Sequence, residues 1–130
     1  MTDQLYRDIS DVTLSRINQI EKIDEFDLTK VERGILAIHA RWRGQSIMHG
    51  KSILNLIDSS ESNDFEINII DIDALGPEKQ IELIGTLCHG YFESVWIENG
   101  KIEFNYRDNS GATELATFKD YLNEKINKYR

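Results

Sequence analysis

Two short strand-like segments, the apolar run Ile35-Leu36-Ala37-Ile38 and the isoleucine-rich stretch Phe65 to Ile72, stand one helix-length segment apart, and this pairing constrains the fold more than any other feature of the chain. The first run has no polar alternation, which marks a strand covered on both faces. The second is rich in isoleucine, a β-branched residue that suits a pleated surface. Two strands joined through a helix-sized connection form a crossover unit and lie parallel. Within the connection, Ile47, Met48, Ile53, Leu54 and Ile57 return at intervals of three and four. This predicts a helix over 46–58, with Ser46 as a side-chain acceptor near its start. Between strand 34–41 and that helix, Trp42-Arg43-Gly44 makes a tight turn.

The remaining segments extend the same pattern. Leu5, Ile9, Val12, Ile17 and Ile20 keep mostly helical spacing, so residues 3–23 read as one amphipathic helix capped by Thr2 or Asp3, and charge-rich 22–30 reads as a connector. Asp58 to Asp64 is a polar loop of small side chains. Gly76-Pro77 opens a helix in which Ile81, Leu83, Ile84 and Leu87 form the buried stripe and His89-Gly90 the stop. Segments 92–98 and 101–107 flank Asn99-Gly100, a hairpin signal because both turn positions favour positive φ. A last helix, 112–129, carries Leu115, Phe118, Leu122 and Ile126 on one side.

At 130 residues the chain fits one domain, which at this length buries roughly two thirds of its unfolded surface. No segment approaches the ~18–20 apolar residues that cross a bilayer, and the opening Met-Thr-Asp-Gln lacks the basic and apolar regions of a leader. A cytoplasmic protein is expected. The lone Cys88 cannot form an internal disulfide. The net charge is −8, from 23 acids and 15 bases, with eight acids and one base between Asp58 and Glu82. Such a surface repels nucleic acid and anionic membranes and steers basic proteins toward itself.

Catalytic patterns are sparse. His39, His49, His89, Asp71, Asp73 and Cys88 offer metal-binding atoms without the spacing of a metal site, so no metal and no cofactor are expected. Ser46 and His49, one helical turn apart, lack an orienting acid nearby in sequence. Asp71 and Asp73 end the second strand, where open α/β sheets bind ligands. Trp42 between Arg41 and Arg43 has the composition of an interface anchor. Phe92 and Trp96 fall on one face of their strand, with Glu93, Val95 and Ile97 on the other.

From about residue 30 onward, this element order, with a tryptophan after the central strand and an Asn-Gly hairpin before a terminal helix, resembles the thioredoxin-like family. Ala40-Arg41-Trp42-Arg43-Gly44-Gln45-Ser46 is similar to the family's active-site turn, in which tryptophan precedes Cys-Gly-Pro-Cys. Gly90-Tyr91-Phe92-Glu93 is similar to the segment that normally carries a cis-proline. The resemblance implies a three-layer α/β/α sandwich, with a four-stranded mixed sheet ending in an antiparallel hairpin. The family's initial edge strand is not visible in the sequence. By position, Arg43 replaces the nucleophilic cysteine, Ser46 the resolving one and Gln45 the proline between them. Phe92 replaces the cis-proline, and Ala37 a buried aspartate. Thiol-disulfide exchange needs an attacking thiolate and a second thiol, and the turn has neither.

The expectation is therefore a redox-inactive binding protein, such as an acidic inhibitor or immunity protein that neutralises a basic toxin or nuclease. Its partner would meet Arg41, Trp42, Arg43, Gln45, Asp71, Asp73, Tyr91 and Phe92. The competing expectation is a diverged thiol-dependent reductase, or a glutathione-binding transferase using Arg43 or Ser46 at a helix start. A structural subunit of a larger assembly is the third.

Overall fold

The computed structural model describes residues 4–60, 64–85, 87–105 and 112–129. Five strands form one mixed sheet: β1 Ile17–Ile20, β2 Arg33–His39, β3 Glu66–Asp71, β4 Ser94–Glu98 and β5 Lys101–Asn105. Their spatial order is β1-β3-β2-β4-β5. β3 runs parallel to both β1 and β2, pairing Ile17 with Ile67 and Ile35 with Ile67. β4 is antiparallel to β2 and to β5. The four helices are α1 Asp11–Arg16, α2 Gly44–Ser60, α3 Pro77–Ile84 and α4 Ala112–Lys128.

The crossover unit is present as expected, and β2 is covered on both faces. On one face Ile35, Ala37, Ile67, Ile69 and Trp96 pack against Ile53, Leu54 and Ile57 of α2 and Phe118, Leu122 and Ile126 of α4. On the other, Leu36, Ile38, Ile70, Val95 and Ile97 meet Leu75, Leu83 and Ile84. The second face is finished by two 3-10 turns, Ile23–Glu25 and Leu28–Lys30. These lie in the segment read as a connector, and Ile23, Phe26 and Leu28 are half-buried there. The hairpin forms as predicted, with φ of 52° at Asn99 and 75° at Gly100. A Cβ at Gly100 would sit 2.6 Å from the Thr29 carbonyl oxygen, so the turn needs glycine for space as well as for φ. Hairpin residues 106–107 and loop residues 61–63 lie outside the described residues.

Several boundaries depart from expectation. Residues 3–23 are not one helix: a 3-10 turn at Gln4–Tyr6, α1 and then β1 share this stretch. Asp8 adopts a φ of 67°, which interrupts any helix there. Ser10 then starts α1, its Oγ accepting from the Thr13 N–H and bonding Asp58 Oδ1 at 2.5 Å. Thr13 Oγ1 donates to the same Asp58 oxygen at 2.6 Å. Both hydrogen bonds hold the Asp58 carboxyl below its ordinary range. Val12, one of the apolar positions of that expected helix, is 72% exposed. The sheet accordingly has five strands rather than four. α3 stops at Gly85, φ 93°, not at His89-Gly90, and leaves Leu87 exposed.

A clamp ties α4 to β4. Lys125 Nζ lies 2.9 Å from Glu98 Oε1, which also accepts the Trp96 indole N–H at 2.9 Å. Burial pushes the Glu98 carboxyl up, but the hydrogen bonds from Trp96, Lys125 and Tyr129 and the Lys125 charge outweigh it, holding the pKa at about 2.

Candidate functional site

The turn after β2 is closed by polar atoms where the resemblance would put sulfur. Arg43 N–H donates to the Ala40 carbonyl at 3.0 Å, and the Ile47 N–H to the Arg43 carbonyl at 3.2 Å, so Arg43 stands at the helix cap. Ser46 does not cap α2, as expected of it, but points back into the protein. Its Oγ accepts the Ala40 N–H at 3.0 Å and lies 2.7 Å from His39 Nδ1. Ser46 is fully buried and His39 nearly so. The serine's companion is thus His39 across the turn, while His49 bonds through Nδ1 to the Tyr91 carbonyl at 3.0 Å. One cue to this is local: His39 and Ser46 bracket the turn, at the last strand position and in the first helical turn.

Segment 87–93 lies beside the turn and is held from within. Glu93, fully buried, accepts the His89 N–H at 2.5 Å and the Tyr91 N–H at 3.1 Å. The chain bends at Phe92 through a φ of 61°, and the described residues contain no cis peptide bond. A left-handed phenylalanine costs about 1–3 kcal/mol, which its packing offsets. The ring is fully buried, meets His39 edge-on at 5.6 Å and occupies space that only Gly50 leaves open, since a Cβ there would lie 2.8 Å from the ring. Phe92 is therefore withdrawn from the set of partner-facing residues, because no part of it reaches the surface.

Arg43 and Tyr91 form a lid over this bend. The guanidinium stacks on the Tyr91 ring at 5.1 Å and donates to Gln45 Oε1 at 2.7 Å, while Nε is buried without a hydrogen-bond partner. The aliphatic part rests on Gly90, where a Cβ would come 2.3 Å from Arg43 Cδ. Trp42 projects outward, 66% exposed, with exposed Gln45 three residues on and exposed Met48 three beyond that.

The acids of the 58–82 stretch do not make one surface. Asp58 serves the α1 cap, Glu66 begins β3 and Asp71 ends it. A six-residue strand keeps its two ends about 17 Å apart. Asp71 pairs with Arg41 at 2.9 Å and accepts the Asp73 N–H through its other oxygen. These three residues line a cleft of about 810 Å³ with Tyr6, Gln19 and Glu21. Trp42 stands outside it. The N-terminal wall was missed because residues 3–23 read as a helix. Among the described residues no three histidine, cysteine or acidic side chains converge as a metal site.

Cys88, the one thiol, is half-buried, and its N–H donates to Gln80 Oε1 at 3.0 Å. Burial, with the Glu93 charge adding to it, pushes the thiol pKa up to about 12. Among the described residues no helix is long and apolar enough to cross a membrane.

No family model matches the chain, and no curated protein matches it significantly in sequence. Solved structures do match. A thioredoxin-fold protein described as an oxidoreductase superposes with a TM-score of 0.61 at 9% identity, over 85% of this chain and 99% of its own. A variant thioredoxin of Halobacterium salinarum gives 0.57 at 16%, over 88% and 90%. Mitochondrial thioredoxin 3 of Saccharomyces cerevisiae gives 0.59 at 19%, over 83% and 95%. At these identities the likeness establishes the fold alone.

Proposed function

We propose that this thioredoxin-like scaffold serves as a redox-inactive protein-binding module, docking a basic partner on the surface around Arg41, Trp42 and Gln45. The observation that carries the reading is the turn itself: its two sulfur positions hold Arg43, stacked on Tyr91, and Ser46, buried against His39. Attack on a disulfide requires a thiolate. The only cysteine has its pKa at about 12, so it is protonated near neutrality. The exposed Trp42 supplies apolar area of the kind that anchors interfaces, and beside it Arg41 is neutralised by Asp71 while Arg43 lies on Tyr91. The net charge of −8 favours a basic partner, as an inhibitor or immunity protein of a basic toxin would require.

Insulin-disulfide reduction by dithiothreitol tests the first half, and the protein should leave its rate unchanged. Acceleration that persists in Cys88→Ser would overturn the reading through chemistry without sulfur. Acceleration abolished by Cys88→Ser would show a reactive thiol and favour the reductase alternative. For the second half, a basic protein that co-purifies at low salt should be released by Trp42→Ala and by raised salt. Retention through both changes would place the contact elsewhere.

A further inference from the structure

We propose that the cleft between β1 and the outgoing ends of β2 and β3 binds a small organic cation that carries its basic group on an apolar body. The cleft measures about 810 Å³, inside the roughly 300–1,000 Å³ range of pockets that enclose small ligands. Its floor is apolar, with Ile69 fully buried and Leu14 and Ile17 packed on the core yet only partly covered. Its rim is acidic. Arg41, the one arginine or lysine lining the cleft, is paired with Asp71 at 2.9 Å, and His39, the other basic side chain there, is nearly buried with Nδ1 on Ser46. That leaves Glu21 and Asp73, both exposed and neither in an ion pair among the described residues.

Two unneutralised carboxylates above an apolar floor discriminate by charge and by shape. An anion would be repelled, and a neutral apolar body would strip water from the acids without replacing its hydrogen bonds. A cation with an apolar body meets both requirements. The walls are tied before any ligand arrives: the Gln19 amide donates to the Tyr6 hydroxyl, and Asp71 holds both Arg41 and the Asp73 N–H. A site fixed in this way loses little freedom on binding. The cleft excludes Trp42 and Gln45 and meets the protein-docking surface only at Arg41, whose charge is already held by Asp71.

Titration of the full chain with phenylbutylamine, phenylbutanol and phenylbutyrate, followed by two-dimensional amide NMR, tests the assignment. The amine should shift Gln19, Glu21 and Asp73 in a saturable way, the alcohol should bind several-fold more weakly, and the acid should not bind. Glu21→Gln with Asp73→Asn should weaken the amine about tenfold, as two exposed charge contacts together allow, in a protein whose spectrum stays dispersed. Equal binding of amine and alcohol, an unaffected double variant, shifts centred elsewhere, or no saturable shift would each overturn it. Tighter binding by a capped Leu-Lys dipeptide amide than by the amine would also overturn it, reassigning the cleft to a protein's basic side chain.

Discussion

The turn after β2 and the cleft beside it meet at His39 and Arg41 and treat their polar groups in opposite ways. His39 contributes Nδ1 to the closure of the turn and also borders the cleft. On the turn side, Ser46, Glu93 and the Tyr91 carbonyl are bonded internally, and Arg43 covers the bend. On the cleft side, Glu21 and Asp73 are left to solvent. The place where the fold's catalysts carry sulfur is filled, while a neighbouring place without that chemistry is open. Internal bonding makes the first structural and costly to disturb. Solvation makes the second cheap to alter and available to a ligand.

The strongest way to break this contrast is Phe92→Ala. Removing a fully buried ring should cost about 3–5 kcal/mol in urea unfolding. A loss near zero would mean that the bend at 92 is not held by packing. The next effect comes through pH. Because Glu98 titrates at about 2 when folded, against an ordinary 4.5, its contribution is complete above about pH 4.5 and is lost as the pH falls toward 2. Glu98→Gln should flatten that acid limb. Since the clamp belongs to neither region, turn and cleft variants should keep the limb unchanged.

Ser46→Ala should cost roughly 1–3 kcal/mol by taking from the buried Ala40 N–H the acceptor it has in Ser46 Oγ. A neutral result would show that the closure is dispensable. At the small end, Arg41→Ala should change stability by no more than about 1 kcal/mol, and less as salt rises, because its pair with Asp71 is exposed. If Arg41→Ala cost more than Ser46→Ala, the roles assigned to the two sides would be reversed.

Local patterns carried the parts of the fold that are decided locally. The unbroken run Ile35 to Ile38 marked the central strand, Asn99-Gly100 marked the hairpin, and Phe118, Leu122 and Ile126 marked the buried side of α4. The N-terminal region was hidden because its structure is set from far away. β1 exists by pairing with Ile67–Ile70, its Asn18 side chain bonded to Asn68 at 3.0 Å, and the α1 cap is fixed by Asp58. The helical intervals from Leu5 to Ile9 to Val12 and from Ile17 to Ile20 are indifferent to these contacts. In the site, the missing sulfur was legible at Arg43 and Ser46. The burial of Phe92 was not, because the space it fills is made by an absent side chain at Gly50.

The hydroxyl-imidazole closure of the turn has a further consequence. A pair of cysteines in this position would give the surface two covalent states and let electron supply choose between them. A serine bonded to a histidine offers one, identical in glutathione-rich and oxidant-rich surroundings. A partner that reads the closure of this turn would meet the same shape in both, and its attachment would have to be timed by concentration or salt instead.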